Sequence, residues 1–287
     1  MSLAETAALG AIAGFTIFLG LPFARMERVG PRARVALAML SVGILAFLFV
    51  DVTGHGFEFV ENAVQKASDG AGSTGRAVGF TLMFLAGLFI GIVGLTLIER
   101  RGKDRATKLP PLAGGSTEAL SPQQAAALAA PDAADARARA LRTGLVIATA
   151  IGLHNFAEGL AIGVSARAGE LGLATVLIIG FAAHNATEGF GIVGPLGSVR
   201  PSWRWLIMAG LIAGGPTFLG SIVGYHVTSE GLELAFYALA GGALLYVIGE
   251  IWSGVRKLGH RELGMYMLFA GVSAGFLTDL ILVAGGA

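Results

Sequence analysis

The sequence predicts an all-α, polytopic membrane bundle of eight transmembrane helices with an inverted-repeat (3+2+3) arrangement. Of the 287 residues, 54% are hydrophobic and only 14% are charged, whereas soluble domains carry about 25% charged residues. The apolar residues fall in runs of about 20, the length that spans a bilayer core. The 44 glycines favour the same fold, because small residues let membrane helices approach closely.

Hydropathy places the eight spans in order along the chain. They cover residues 3–22, 36–56, 79–98, 142–165, 172–194, 205–226, 234–252 and 264–284. The first three spans belong to residues 1–99 and the last five to residues 142–287, which together form one membrane domain. The polar and Ala-rich segment 100–141 between them predicts a cytoplasmic linker, partly disordered and partly a surface helix. A second long loop is predicted at 57–78, either irregular throughout or beginning as a continuation of the second helix.

The distribution of basic residues predicts the orientation. If the N-terminus is outside, the inside loops hold 17 of the 20 Lys and Arg, and the outside loops hold only Lys66, Arg76 and Arg167. Cytoplasmic loops carry the excess of Lys and Arg in membrane proteins. We therefore expect a multi-pass protein of the cell (inner or plasma) membrane with both termini outside.

Apart from Glu5 and Arg142, which lie in the first turns of their spans, the predicted spans contain five acidic residues and no Lys or Arg. These acids are Asp51, Glu158, Glu188, Glu250 and Asp279. A carboxylate in the bilayer costs about 2.5 kcal/mol or more, so each must be protonated, hydrated or bound to a cation. Without Lys or Arg partners, a metal ion or a proton is the compensating charge that we expect.

The motif His-Asn-x-x-Glu-Gly occurs twice, once in the fourth span and once in the fifth. Its polar members are His154, Asn155, Glu158, His184, Asn185 and Glu188. Each His and its Glu are four residues apart and so share one helix face. A single buried histidine is more often a packed or hydrogen-bonded residue than a ligand, but two identical blocks 30 residues apart favour a divalent-metal site.

The chain has no Cys, so such a site must use N and O ligands, which suit Zn, Fe(II), Mn, Co or Ni. Both His residues lie about 12 residues into their spans, or ~18 Å along the helix, and thus near mid-membrane. The two spans are antiparallel neighbours. Equivalent motifs on such neighbours meet at a pseudo-two-fold axis in the membrane plane, as in inverted-repeat transporters with a midplane site.

The segments HNFAEG and HNATEG, together with the eight spans and the long loop after the third, resemble the ZIP (Zrt/Irt-like protein) metal transporters. The resemblance implies that helices four and five carry a binuclear site. His154, Glu158, His184 and Glu188 would form one metal position, and Asn155, Asn185 and the same two glutamates the second. Three positions depart from the pattern of the family. Ala157 and Thr187 replace a Pro found in many bacterial members, and Gly215 precedes Pro216 where a Glu is frequent, so we expect the second metal position to be weak or absent.

Three further residues are candidates for the pathway. Asp51 and His55, four residues apart at the outer end of the second span, would either attract cations at the entrance or belong to a solvated helix end. Glu250 fits a Glu that the resemblance implies near the inner end of the seventh span, as an exit ligand or a proton acceptor. Asp279, near the outer end of the last span, is left unassigned.

We therefore expect a transporter, not an enzyme, that moves divalent metal into the cytoplasm by alternating access. The substrate would be Zn²⁺, with Fe²⁺, Mn²⁺, Cd²⁺ and Co²⁺ as alternatives. The competing interpretations are an intramembrane metal-dependent hydrolase, with Glu158 or Glu188 as general base, and a metal sensor. The expected partners are metal ions and the lipid bilayer, with a homodimer as an alternative to a monomer, and no nucleic acid.

Overall fold

A computed structural model of the chain describes residues 1–26, 30–104, 122–169, 171–226, 229–256 and 258–284. Within these ranges the protein is all-helical and has no strand. Among the described residues, seven helical segments are long and apolar enough to cross a membrane. Their number and length fit a multi-pass membrane protein.

The first three spans are formed by four helices. Helix α1 covers Leu3–Phe15 and continues through two 3₁₀ turns to Arg25, α2 covers Pro31–Ser68, α3 covers Thr74–Phe89 and α4 covers Leu95–Asp104. A π-helical turn at Ile90–Gly94 joins α3 to α4, so that Thr74–Ile98 forms one span. Helix α1 begins with a capping box, in which Ser2 and Glu5 satisfy each other's backbone N–H groups.

The remaining helices are α5 (Pro122–Ala168), α6 (Leu171–Val193), α7 (Trp203–His226), α8 (Glu230–Arg256) and α9 (Arg261–Ala284). Six of the eight predicted spans each overlap one of the seven membrane-length segments, and the fourth predicted span overlaps the segment Ala134–Ala168. The predicted span 172–194 coincides with α6.

For the segment 57–78, the structure confirms a continuation of the second helix, and the loop itself is much shorter than predicted. Helix α2 continues to Ser68 and α3 begins at Thr74, so only five residues separate them. The cause is a buried stripe that continues beyond the membrane-length segment, since Val60 and Ala63 are both 7% exposed. Helices are stabilised mainly by packing of such a face.

The linker 100–141 is described only at its two ends. Helix α4 extends to Asp104, and α5 begins at Pro122 and runs without interruption into the fourth span. Residues 105–121 lie outside the described residues, and the partly disordered linker over 100–141 stays a prediction.

The bundle is built around α5 and α6, which hold the two motifs. Helix α5 packs mainly against α7 and α8, while α6 packs against α1, α2 and the 3₁₀ turns after α1. Close backbone contact between glycines allows this packing: a Cβ on Gly159 would lie 2.9 Å from the Cα of Gly220, and one on Gly189 would lie 2.8 Å from the Cα of Gly20. The motif-bearing helices are thus enclosed by their neighbours.

Candidate metal centre

The polar side chains of the two motifs lie in the interior of an apolar bundle. His154, Asn155, Asn185 and Glu188 have no exposed surface, and Glu158 is 4% exposed. The apolar neighbours of the motif on α5, such as Ile151 and Ala157, are equally buried. The helix therefore has no solvent face here, and its polar residues must find partners among themselves or bind a ligand.

Glu158 is at the centre of this cluster. Its Oε1 lies 3.0 Å from His154 Nε2 and is hydrogen-bonded to His184 Nε2. The Nε2 of His154 also lies 3.8 Å from Glu188 Oε1. The ligand atoms of His154, Glu158 and His184 all fall within 4.8 Å of one another.

This spacing suits a small divalent ion. Zn²⁺ binds imidazole nitrogen and carboxylate oxygen at about 2.0–2.2 Å and takes four ligands in most sites. The three mutually close residues supply two nitrogens and an oxygen. Glu188 also approaches His154 Nε2 and is near enough to supply a fourth ligand after a small adjustment.

The two Asn side chains make equivalent hydrogen bonds, each to the backbone of a neighbouring helix. The amide nitrogen of Asn155 donates to the carbonyl of Ala213 on α7 (3.0 Å), and that of Asn185 donates to the carbonyl of Ala13 on α1 (3.1 Å). Each bond fixes the orientation of the amide. In both residues it leaves the Oδ1 atom buried and without a hydrogen-bond partner among the described residues.

Several other buried oxygens in the site also have no hydrogen-bond partner. They include both carboxylate oxygens of Glu188 and the Oε2 of Glu158. Buried polar atoms normally have partners, because leaving one unsatisfied costs about 1–3 kcal/mol and more when it is charged. The described ion pairs of the site are with His154 and His184, and none is with Lys or Arg. A set of acceptors without donors is suited to a cation.

A cavity connects His184 of the cluster with two acidic residues on neighbouring helices. It has a volume of about 220 Å³ and lies between α2, α6 and α9. Its lining includes Asp51, His184 and Asp279. The sequence assigned no role to Asp279. The only indication was that it is an acidic residue in a predicted span without a Lys or Arg partner.

His55 lies beside this cavity rather than in the cluster. Its Nε2 is 3.6 Å from Asp51 Oδ1, and its Nδ1 is 4.0 Å from Glu58 Oε2. The side chain is about half exposed. Glu250, half-buried on α8, is also outside the cluster of His and Glu ligands.

Two buried hydroxyls were not predicted from sequence. Ser41 on α2 and Thr217 on α7 are almost fully buried, and neither hydroxyl oxygen has a hydrogen-bond partner among the described residues. The side chain of Ser41 fills the space beside Gly191 on α6, where a Cβ would otherwise lie. The side chain of Thr217 fills the equivalent space beside Gly14 on α1. No sequence pattern distinguishes them from the other hydroxyls in the spans.

Fold and site together define a polytopic helical membrane protein whose interior holds a His/Glu cluster of the kind that binds divalent metal. The family model described as ZIP Zinc transporter matches residues 2–248. The chain therefore belongs to the ZIP zinc transporter family.

Individual relatives agree with this assignment. The chain is 25% identical over 254 residues to Zinc transporter ZupT of Corynebacterium aurimucosum, covering 85% of this chain and 84% of the relative. It is 33% identical over 137 residues to Zinc transporter ZupT of Clostridium perfringens, covering 46% and 48%. It is 31% identical over 149 residues to Zinc transporter ZIPB of Bordetella bronchiseptica, covering 50% and 48%. The hydrolase alternative finds no support in these relatives, since the family is one of transporters and not of enzymes.

Proposed function

We propose that the protein carries Zn²⁺ across the membrane into the cytoplasm through a midplane site on α5 and α6. The observation that carries the proposal is the buried set of acceptors around Glu158, which has two imidazoles but no Lys or Arg among its described partners. The relatives named above are zinc transporters, which favours zinc as the substrate. The N and O ligands also suit Fe²⁺, Mn²⁺, Cd²⁺ and Co²⁺, and we include these as secondary substrates.

Within this site we assign the first metal position to His154, Glu158, His184 and Glu188. The second position would use the unpartnered Oδ1 atoms of Asn155 and Asn185 with the two glutamates. Gly215 contributes no ligand to it, and a Cβ there would meet no atom within 4 Å. The second position is therefore the weaker of the two.

We further propose an eight-span bundle with inverted 3+2+3 symmetry, in which α6 forms the fifth span. Its support is that equivalent contacts recur when α1 exchanges with α7, α2 with α8, the α3 span with α9, and α5 with α6. The contact between Gly43 and Gly271 then corresponds to that between Gly242 and Gly91. The two Asn-to-carbonyl bonds correspond in the same way.

The basic residues support an orientation with both termini outside, and with residues 1–99 and 142–287 joined by a cytoplasmic linker at 100–141. In this orientation the cavity lined by Asp51, His184 and Asp279 opens toward the outside. Asp51 and His55 then attract cations to the entrance, and Glu250 accepts the ion on the inner side. The exposed apolar faces of α3 and α9 contact lipid or, in a homodimer, a second copy.

The test is zinc flux into proteoliposomes, together with elemental analysis of zinc bound to the purified protein. Glu158→Gln preserves size and removes the charge; we expect uptake to fall at least about 100-fold and bound zinc to be lost, since even indirect ligand supports cost 10–100-fold. Glu262→Gln, at an exposed position of α9, is the matched control and should retain both.

The two measurements separate the alternatives. Zinc bound by the wild type without any flux would contradict transport while leaving the site intact. Equal zinc content in the wild type and in Glu158→Gln would contradict the assignment of Glu158 as a zinc ligand. Uptake by His184→Ala at the wild-type rate would exclude the assigned first position.

A further inference from the structure

A second cavity lies far from the metal centre, where the start of α2, the end of α8 and the start of α9 meet. Its volume is about 400 Å³. Its floor is apolar and includes Val35 and Met39 of α2 and Val255 of α8, each less than 5% exposed. At about 30 Å³ for a water-sized group, the cavity has room for roughly a dozen methylene-sized groups.

The rim of this cavity is basic. Arg256 ends α8, Arg261 begins α9, and His260 precedes it in the turn; all three line the cavity and are exposed. Among the described residues, neither arginine has a hydrogen bond or an ion pair. The acidic residue nearest in sequence is Glu262, and it is not part of the lining.

This combination does not suit a metal ion, since two arginines repel a divalent cation and no carboxylate lines the cavity. It suits an anion that carries an apolar chain. Basic pockets between transmembrane helices on the cytoplasmic side bind anionic lipid headgroups, and each Lys or Arg near the surface contributes roughly a fivefold preference. Trp252, also in the lining, is the residue type that favours the membrane interface.

We propose that this cavity is a binding site for an anionic phospholipid of the inner leaflet. One acyl chain lies on the floor formed by Val35, Met39 and Val255, and the phosphate of the headgroup contacts Arg256 and Arg261. The site is independent of metal binding. It depends on the proposed orientation only for the choice of leaflet.

Trp252 provides a direct test, because the chain has only three tryptophans. In a Trp203→Phe/Trp205→Phe background, Trp252 is the sole indole. The full chain is reconstituted in phosphatidylcholine bilayers containing a small fraction of phosphatidylglycerol brominated on its acyl chains, and in matched bilayers containing brominated phosphatidylcholine. Bromine quenches only nearby indoles. We expect the brominated phosphatidylglycerol to quench Trp252 at a tenfold or more lower mole fraction than brominated phosphatidylcholine, since two arginines contribute.

Two double variants decide whether the rim is responsible. Arg256→Gln/Arg261→Gln should reduce the preference to below about threefold. Arg139→Gln/Arg204→Gln removes two exposed arginines from the same side of the protein and should leave the preference intact. Retained zinc binding shows that each variant is folded.

Several results would overturn the proposal. One is equal quenching by the two brominated lipids. Another is an equal loss of preference in both double variants, which would indicate a general surface charge effect. A third is displacement of the lipid by glycerol phosphate at a concentration similar to that of the phosphatidylglycerol, because the apolar floor would then contribute nothing to binding.

Discussion

The contact between α5 and α7 beside the candidate metal centre can be tested with a single methyl group. Gly159 directly follows Glu158, and a Cβ at this position would lie 2.9 Å from both the Cα of Gly220 and the N of Ser221. Ordinary contact begins at 3.4 Å, so Gly159→Ala must separate the two helices by at least about 0.5 Å. The obstructing atoms belong to the backbone of α7 and cannot rotate away.

The expected cost follows from a comparison with Gly79→Ala on α3, where a Cβ would meet no atom within 4 Å. Both substitutions gain the same helix propensity, up to about 1 kcal/mol, and this term cancels in the difference. What remains is the overpacking at Gly159, which costs about 1–3 kcal/mol. At about 2–4 °C per kcal/mol for a large domain, Gly159→Ala should melt roughly 2–12 °C below Gly79→Ala in detergent.

Zinc flux should respond more strongly than stability. The shift displaces α5 relative to α7, and with it the bond from Asn155 to Ala213 and the position of Glu158. A displacement of 1 Å at a functional site can cost about 100-fold, so we expect uptake to fall at least tenfold, while Gly79→Ala transports normally. If Gly159→Ala melts and transports like Gly79→Ala, the described glycine contact is wrong.

Two further predictions concern single side chains. Asn185→Leu leaves the carbonyl of Ala13 without its donor, so it should lower the free energy of unfolding by about 1–3 kcal/mol and also reduce bound zinc. Asn185→Asp should lower the free energy of unfolding similarly but retain part of the bound zinc. An Asn185→Leu variant as stable as the wild type would contradict the prediction. His260 has a positive φ of 57°, which costs a non-Gly residue about 1–2 kcal/mol, so His260→Gly should raise the melting temperature and His260→Ala should not.

The fold was largely predictable because each membrane span is a continuous run of apolar residues that the sequence shows directly. Each predicted span overlaps a described helix, since about 20 apolar residues must cross the bilayer as a helix. Helix ends beyond the membrane have no such signal. The extension of α2 to Ser68 depends on Val60 and Ala63 packing against neighbours, and the sequence does not show which residues those neighbours provide.

The residue types of the His/Glu cluster were predictable, because the doubled motif places His and Glu four residues apart on each helix. That this cluster binds metal stays a prediction. The asymmetry of the cluster was not predictable. Glu158 contacts both imidazoles, whereas Glu188 is near His154 only. The sharing of the cavity by Asp51, Asp279 and His184 depends on how three helices distant in sequence pack together. The spacing of residues along the sequence does not show how these helices pack.

The glycine contacts also limit how the sequence can change over evolutionary time. When a large side chain in an ordinary core grows by a methyl group, a neighbour can shrink to accept it. Gly159 against Gly220 and Gly189 against Gly20 have no such freedom, because both partners are already the smallest residue and the obstructing atoms are backbone. A substitution at one partner cannot be compensated at the other. We expect these pairs to stay fixed in any lineage that retains the function, while the lipid-facing residues of the same helices drift.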